Sequence, residues 1–176
     1  MLVAATTNLP KRHDGRVHTV SVYVSNKPGV LARIALVFAR RAYNIESLIV
    51  SPAAKGGFSR TTITCTGDPA TLEQIIRQLG KLVDVVHATD STDRPTVETE
   101  IALVKIQSTT ERRGEILQVA QHFNAKVVDF GADTIVMRVY GVSEKLDGFL
   151  AVLEPYGVLE LVRTGKIAMV RGSEVT

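Results

Sequence analysis

One order of elements runs through this chain twice, and few folds accept it. His18 to Ser25 alternates apolar and polar residues, the period of a half-buried strand. Leu31, Ile34, Ala35, Phe38 and Ala42 then fall at helical spacing. Ile45 to Ser51 and Phe58 to Thr66 read as two strands joined by the Lys55-Gly56-Gly57 turn. Asp68 is placed to cap a helix with Pro69 in its first turn, the stripe Leu72, Ile75, Ile76 and Leu79, and Gly80 at its end. Leu82 to Ala88 closes the set as a strand. The polar run Thr89 to Thr96 contains a proline and reads as a linker. Beyond it the order recurs. Glu100 to Gln107 is a strand, and a helix with Ile116, Val119, Ala120 and Phe123 on one face follows, with Thr109 or Thr110 as its cap. Lys126 to Phe130 and Thr134 to Tyr140 are strands, and Ser143 caps a helix striped by Leu146, Phe149, Leu150 and Leu153. Tyr156 to Val162 and Lys166 to Val170 close the chain as strands. Gly114 and Gly148 fall inside the last two helices.

Strand–helix–strand–strand–helix–strand is the split βαβ unit. The chain is therefore α+β, two ferredoxin-like βαββαβ domains in tandem. The expected boundaries are 1–16 as a flexible extension, 17–90 as the first domain, 91–97 as linker, 98–172 as the second domain and 173–176 as tail. Domains of roughly 75 residues are small for independent stability, and each sheet has two edges that invite pairing with another domain or chain.

The segment with most functional content is Asn26-Lys27-Pro28-Gly29-Val30-Leu31, between the first strand and the first helix. Pro28 suits a helix start and Gly29 allows close approach of the backbone to another group. Free N–H groups at such a start form a site for a carboxylate or phosphate, and Asn26 adds a donor and an acceptor. A small anionic or zwitterionic molecule fits that description.

Composition narrows the function classes. The 176 residues carry a formal charge of +3 with the cations scattered, and aromatics are only 5% with no Trp. Arg40-Arg41 and Arg112-Arg113 read as solvated helix faces, and no interleaved rings offer base stacking, so no nucleic-acid partner is expected. Cys65 is the only cysteine and sits in a strand pattern, as a packed thiol in a reducing compartment. His13, His18, His87 and His122 show no ligand spacing, so no metal site is expected. No apolar run approaches ~18 residues, so no membrane span is expected, and the first residues lack a signal-peptide core. Glu111 and Glu115 read as a solvated face, and no catalytic residues are assigned. Binding or regulation is the better reading.

The turn 26–31 resembles the ligand turn of an ACT domain, the regulatory amino-acid-binding module. Arg41 to Leu48, Ser59 to Ile63, Gln78 to Val85 and Glu100 to Ile106 resemble the small, regulatory subunit of acetolactate synthase (acetohydroxyacid synthase). The resemblance runs from about His18 to Gly172. It departs at Ala42, where the family usually has Gly, and at residues 1–16, which exceed the usual start. It implies a non-catalytic subunit that activates a catalytic large subunit and confers feedback inhibition by valine in branched-chain amino acid biosynthesis. The holoenzyme would be a transferase. Valine would be the allosteric ligand, held by Asn26, Lys27, Pro28, Gly29, Val30 and Leu31, with Asn44 and Ile45 approaching from the partner chain of an ACT homodimer or higher oligomer. Thiamine diphosphate, Mg²⁺ and a flavin (FAD) would belong to the catalytic partner. A bacterial cytoplasm is the expected location, with an organelle as the other option. Without the resemblance, Asn44 reads as a left-handed turn residue ending a helix. Two other functions fit the fold: a free-standing amino-acid sensor acting on another enzyme or regulator, and an RNA-binding protein.

Overall fold

The computed structural model describes residues 16–173. The extension and tail lie outside them, except for Arg16 and Ser173. The described residues form two units: 16–98 together with 165–173, and 99–164.

In the first unit, β1 (Val17–Ser25), α1 (Val30–Ala39), β2 (Asn44–Pro52), β3 (Phe58–Thr66), α2 (Pro69–Leu79) and β4 (Val85–Asp90) follow in the order read from the sequence. The sheet order is β2-β3-β1-β4, all antiparallel. β1 is central because its register with β3 is unbroken, from Val17 opposite Thr66 to Ser25 opposite Phe58, while β4 takes its other edge. Alternation sends Val20, Val22 and Val24 to the helix side, where they meet Ile34, Phe38, Ile63, Leu72, Ile75 and Leu79 in one aliphatic core. At α2, Asp68 accepts from the Thr71 N–H (2.8 Å), as expected of an N-cap. These hydrogen bonds from Thr71 also hold the Asp68 carboxyl below the usual carboxylate range. Gly80 is the C-cap but keeps a right-handed φ of −64°, so the helix end does not use its freedom.

The core stripe of α1 is Val30, Ile34 and Phe38. Leu31 and Ala42, expected in it, are exposed. The helix begins at Val30, so the inward positions advance by four from there, and Leu31 turns toward the mouth of the turn. The opposite sheet face is also buried. Thr19, Ser21, Thr62 and Thr64 are almost fully covered. The Ser91 hydroxyl bonds that of Ser21 (3.1 Å), the Ser91 N–H donates to the Thr19 carbonyl (2.8 Å), and Gly165 abuts Ser47 so closely that a Cβ would stand 2.3 Å from its side chain. The segment after β4 is thus pinned rather than free, and Arg16 pairs with Asp93 (2.5 Å) beside it.

The second unit is built from β5 (Thr96–Gln107, whose first residues lie in the first unit), α3 (Arg113–His122), β6 (Lys126–Phe130), β7 (Thr134–Gly141), α4 (Ser143–Leu153) and β8 (Val158–Arg163). Its strand order is β6-β7-β5-β8. The last strand, β9 (Ile167–Val170), pairs with β5. That pairing explains why β5 starts at Thr96 rather than Glu100: Arg171 donates to the Pro95 carbonyl (2.8 Å) and Lys166 reaches Glu98 (2.8 Å). The helix caps differ from expectation. Thr109 only accepts from the Arg113 N–H, and α3 is capped at Arg112. Ser143 is already helical, with Val142 at the cap and the Ser143 hydroxyl buried without a hydrogen-bond partner among the described residues. Ala102, Val104, Ile106, Ile116, Ile135, Met137, Leu146 and Phe149 fill the core.

Arg163 forks between Glu100 on β5 and Asp147 on α4 (2.6 Å), clamping strand to helix. Burial opposes its charge, but the two carboxylates outweigh that and raise its pKa. The Glu100 side chain is only 7% exposed, so losing Arg163 strands a buried carboxylate. Arg163→Ala should lower stability by about 3 kcal/mol in urea denaturation. Adding Glu100→Leu should recover much of that loss.

Candidate functional site

The candidate turn lies where β1 hands the chain to α1. Ser25 donates to the Asp84 carbonyl (2.8 Å) and Asn26 to the Gly57 carbonyl (2.9 Å), so both flanking loops hold its start. Lys27 donates back to Ser25 (3.0 Å). Gly29 is the N-cap of α1 at φ 80°, ψ −8°, a left-handed conformation that favours glycine, and no side chain caps the helix. The first intrahelical bond runs from Arg33 to Gly29 (3.2 Å). Among the described residues, the N–H groups of Gly29, Leu31 and Ala32 have no acceptor in the protein. Donors and helix dipole together favour a carboxylate here. Arg33 lies beside the turn, its Nη1 3.4 Å from where a Cβ on Gly29 would stand and its Nη2 in an ion pair with Asp84 (2.6 Å).

Below the turn is a cleft of about 110 Å³ lined by Val24, Ser25, Asn26, Lys27, Val30, Leu31, Ile34, Val50, Ser59 and Thr61. That is far below the ~300–1,000 Å³ of pockets for drug-sized ligands, and suits a small molecule. Aliphatic and polar residues share its lining, which suits a compact zwitterion with an apolar side chain. Leu31 and Val50, 45% and 46% exposed, are apolar residues on its lining. Of the residues read from the sequence, Asn26, Lys27, Val30 and Leu31 line the cleft; Pro28 and Gly29 shape its rim. Val24, Ser25, Ile34, Val50, Ser59 and Thr61 were missed. Val24 and Ser25 end β1 beside the turn and Ile34 belongs to the helix core, while Val50, Ser59 and Thr61 come from other strands and reach the cleft only through register. Val50 stands opposite Thr61, and Val24 opposite Ser59.

Asn44 and Ile45 are not part of this cleft in the same chain. Asn44 is the first residue of β2, six positions before Val50, or ~20 Å at strand rise. Its amide donates to Glu46 (2.7 Å), and Ile45 packs on the core. Nor is Asn44 the left-handed residue ending the helix. That residue is Ala42, at φ 50°. Ala42 donates to Ala39 (3.0 Å) and Tyr43 to Phe38 (3.1 Å), the Schellman pattern that commonly takes Gly. The Phe38 and Tyr43 rings, 6.4 Å apart, supply its apolar contact. α3 ends the same way with Asn124 at φ 53°. Tyr43 is held further by its hydroxyl on the Asp68 carbonyl (3.3 Å) and by Gly67, where a Cβ would stand 2.4 Å from the ring.

Cys65 is fully buried in the first core, and burial, then Asp90 and Glu46, push its thiol up to about 12. Among the described residues no group of three or more His, Cys, Asp or Glu gathers as metal ligands. No described helix is long and apolar enough to cross a membrane.

Comparison with known proteins bears on both units. Residues 99–172 match the protein family described as "Small subunit of acetolactate synthase", and residues 20–87 match the "AHAS small subunit-like ACT domain". The chain is 43% identical over 157 residues to the acetolactate synthase small subunit of Aquifex aeolicus, covering 89% of this chain and 82% of that one. It is 40% identical over 155 residues to that of Mycolicibacterium smegmatis, covering 88% and 91%. The crystal structure of the acetolactate synthase small subunit from Thermotoga maritima superposes with a TM-score of 0.80 at 38% identity, covering 90% of this chain and 99% of that one.

Two expectations follow from the local chemistry. Ala42→Gly relieves a left-handed alanine and should raise stability by about 1 kcal/mol, read as a higher thermal midpoint. The raised thiol pKa of Cys65 means the unfolded chain loses its proton first. Its stabilising contribution is complete below the ordinary value of 9.0 and is lost as pH rises from there through about 12. Stability of the wild-type chain should therefore fall across that window, and less so in Cys65→Ala; at pH 8 iodoacetamide should label Cys65 only in denaturant.

Proposed function

We propose a specific regulatory role for this chain, which belongs to the family of acetolactate synthase small subunits. It activates the thiamine-diphosphate-dependent catalytic subunit of acetolactate synthase and makes that subunit sensitive to valine. The observation that carries this reading is the small cleft under an uncapped helix start, in the unit that matches the ACT domain of this family. The ligand carboxylate meets the N–H groups of Gly29, Leu31 and Ala32, Asn26 holds the polar end at the mouth, and the isopropyl group lies between Leu31 and Val50. Thiamine diphosphate, Mg²⁺ and FAD belong to the catalytic partner, and the site of action is the cytoplasm.

A homodimer completes the site. β2 is an edge strand, and such an edge is a template for a second copy. Two β2 strands paired antiparallel about Leu48, the midpoint of Asn44–Pro52, set Asn44 of the partner subunit opposite Pro52 and Ile45 of the partner subunit opposite Ser51. Both then stand beside Val50 at the cleft, which is how residues ~20 Å away within one chain reach the ligand. Valine binding and dimerisation are thereby linked, and feedback needs a coupling free energy of ~1–3 kcal/mol to the catalytic subunit.

The test is acetolactate formation by the cognate large subunit across a valine titration, with wild-type chain, Gly29→Asp and Gly29→Ala. Any Cβ at φ 80° strains the turn, so the Ala variant measures strain and the Asp variant adds a competing carboxylate. Gly29→Asp should activate but confer no valine inhibition, and Gly29→Ala should show a weakened response. Undiminished inhibition with Gly29→Asp refutes the site. Wild-type chain that neither activates nor sensitises refutes the role and leaves a free-standing amino-acid sensor.

A further inference from the structure

The helix-facing side of β3 changes character along its length. Its inward positions are Ser59, Thr61, Ile63 and Cys65, standing opposite Val24, Val22, Val20 and His18 on β1. The two polar members are the two that reach the cleft. Ser59 is 4% and Thr61 1% exposed, and neither hydroxyl has a hydrogen-bond partner among the described residues. On the other face of the same sheet Ser21 pairs with Ser91 and Ser47 with Thr64 (2.5 Å), and the covered Thr19 and Thr62 do not line the cleft as Ser59 and Thr61 do. Both residues line the cleft, and neither hydroxyl is among the side-chain atoms sealed in the core without a partner, which among the described residues are His18 Nδ1 and Ser143 Oγ; Val or Ile at these positions would simply extend the aliphatic core.

We infer that Ser59 and Thr61 form a polar floor that accepts hydrogen bonds from the ammonium group of the bound amino acid. This rests on the cleft being the ligand site proposed above. The donors at the helix start take the carboxylate from one side, and the two hydroxyl oxygens take the ammonium from the other. The α-carbon lies between them, and the side chain is left to Leu31 and Val50. The cleft then selects a primary ammonium next to a carboxylate, and a branched aliphatic acid lacking nitrogen leaves the floor unpaired.

The experiment is calorimetric titration of the full chain with L-valine and with 3-methylbutanoate, its des-amino analogue, alongside thermal unfolding of the free protein. The variants are Thr61→Val, Ser59→Ala and Thr61→Ser, which keeps the hydroxyl. Thr61→Val and Ser59→Ala should each weaken valine roughly tenfold while leaving the midpoint of the free protein unchanged or raised. Thr61→Ser should bind valine as wild type, and 3-methylbutanoate should bind wild type weakly and Thr61→Val and Ser59→Ala no more weakly than that. Wild-type valine affinity in both Thr61→Val and Ser59→Ala overturns the floor and leaves the site standing. Loss of free-protein stability without loss of affinity also overturns it, by making the hydroxyls structural. A wild-type chain that binds no valine overturns both the floor and the proposed function.

Discussion

The unbroken register of β1 against β3 is the constraint from which the rest of the first unit follows. Nine consecutive pairs, with β4 on the other side, leave β1 no freedom to slide. A one-residue slip would turn Val20, Val22 and Val24 away from the helices and set Thr19, Ser21 and Tyr23 against them. With register set, Ser25 ends opposite Phe58, Asn26 meets Gly57, and the turn into α1 has a fixed origin. The same pairing sets Ser59 and Thr61 beneath that turn. Cleft and core are two ends of one ladder.

The ends of α1 are both left-handed, and they matter in different ways. At the start, Gly29 turns the chain so that helix N–H groups face outward without a capping side chain. An uncapped helix start is a stability loss that a bound carboxylate can repair, which ties the local weakness to ligand binding. At the finish, Ala42 takes the position that the family resemblance assigns to Gly, and the Schellman bonds with the Phe38–Tyr43 contact hold it there. That ending delivers Asn44 to the first position of an edge strand, where a second copy can be met.

In the second unit the sheet is tied to its helix layer through charge. Arg163 joins β5, β8 and α4 through Glu100 and Asp147. The first unit instead has a packed thiol, Cys65, and a tyrosine wedged against Gly67. Repeated element order therefore does not mean repeated interior chemistry.

The element order, both helix faces of the second unit and the turn 26–31 were legible in the sequence. Alternation and 3.6-residue spacing are local signals, and Asp68-Pro69 and Asn26-Pro28-Gly29 declare helix starts through their own chemistry. Cap positions were less legible, because Ser143 as N-cap and Ser143 as first helical residue differ by one backbone torsion that packing selects. Val50, Ser59 and Thr61 could not be read as site residues. Ser59 and Thr61 read as ordinary inward strand positions and Val50 as an exposed edge-strand residue, and only strand register and the placement of α1 make a cleft of them. The sequence by itself determined where strands and helices lie and where an anion could meet the backbone, since both rest on neighbours in the chain. Tertiary structure alone decided which distant side chains share that place, because pairing across strands is what converts separation in sequence into contact.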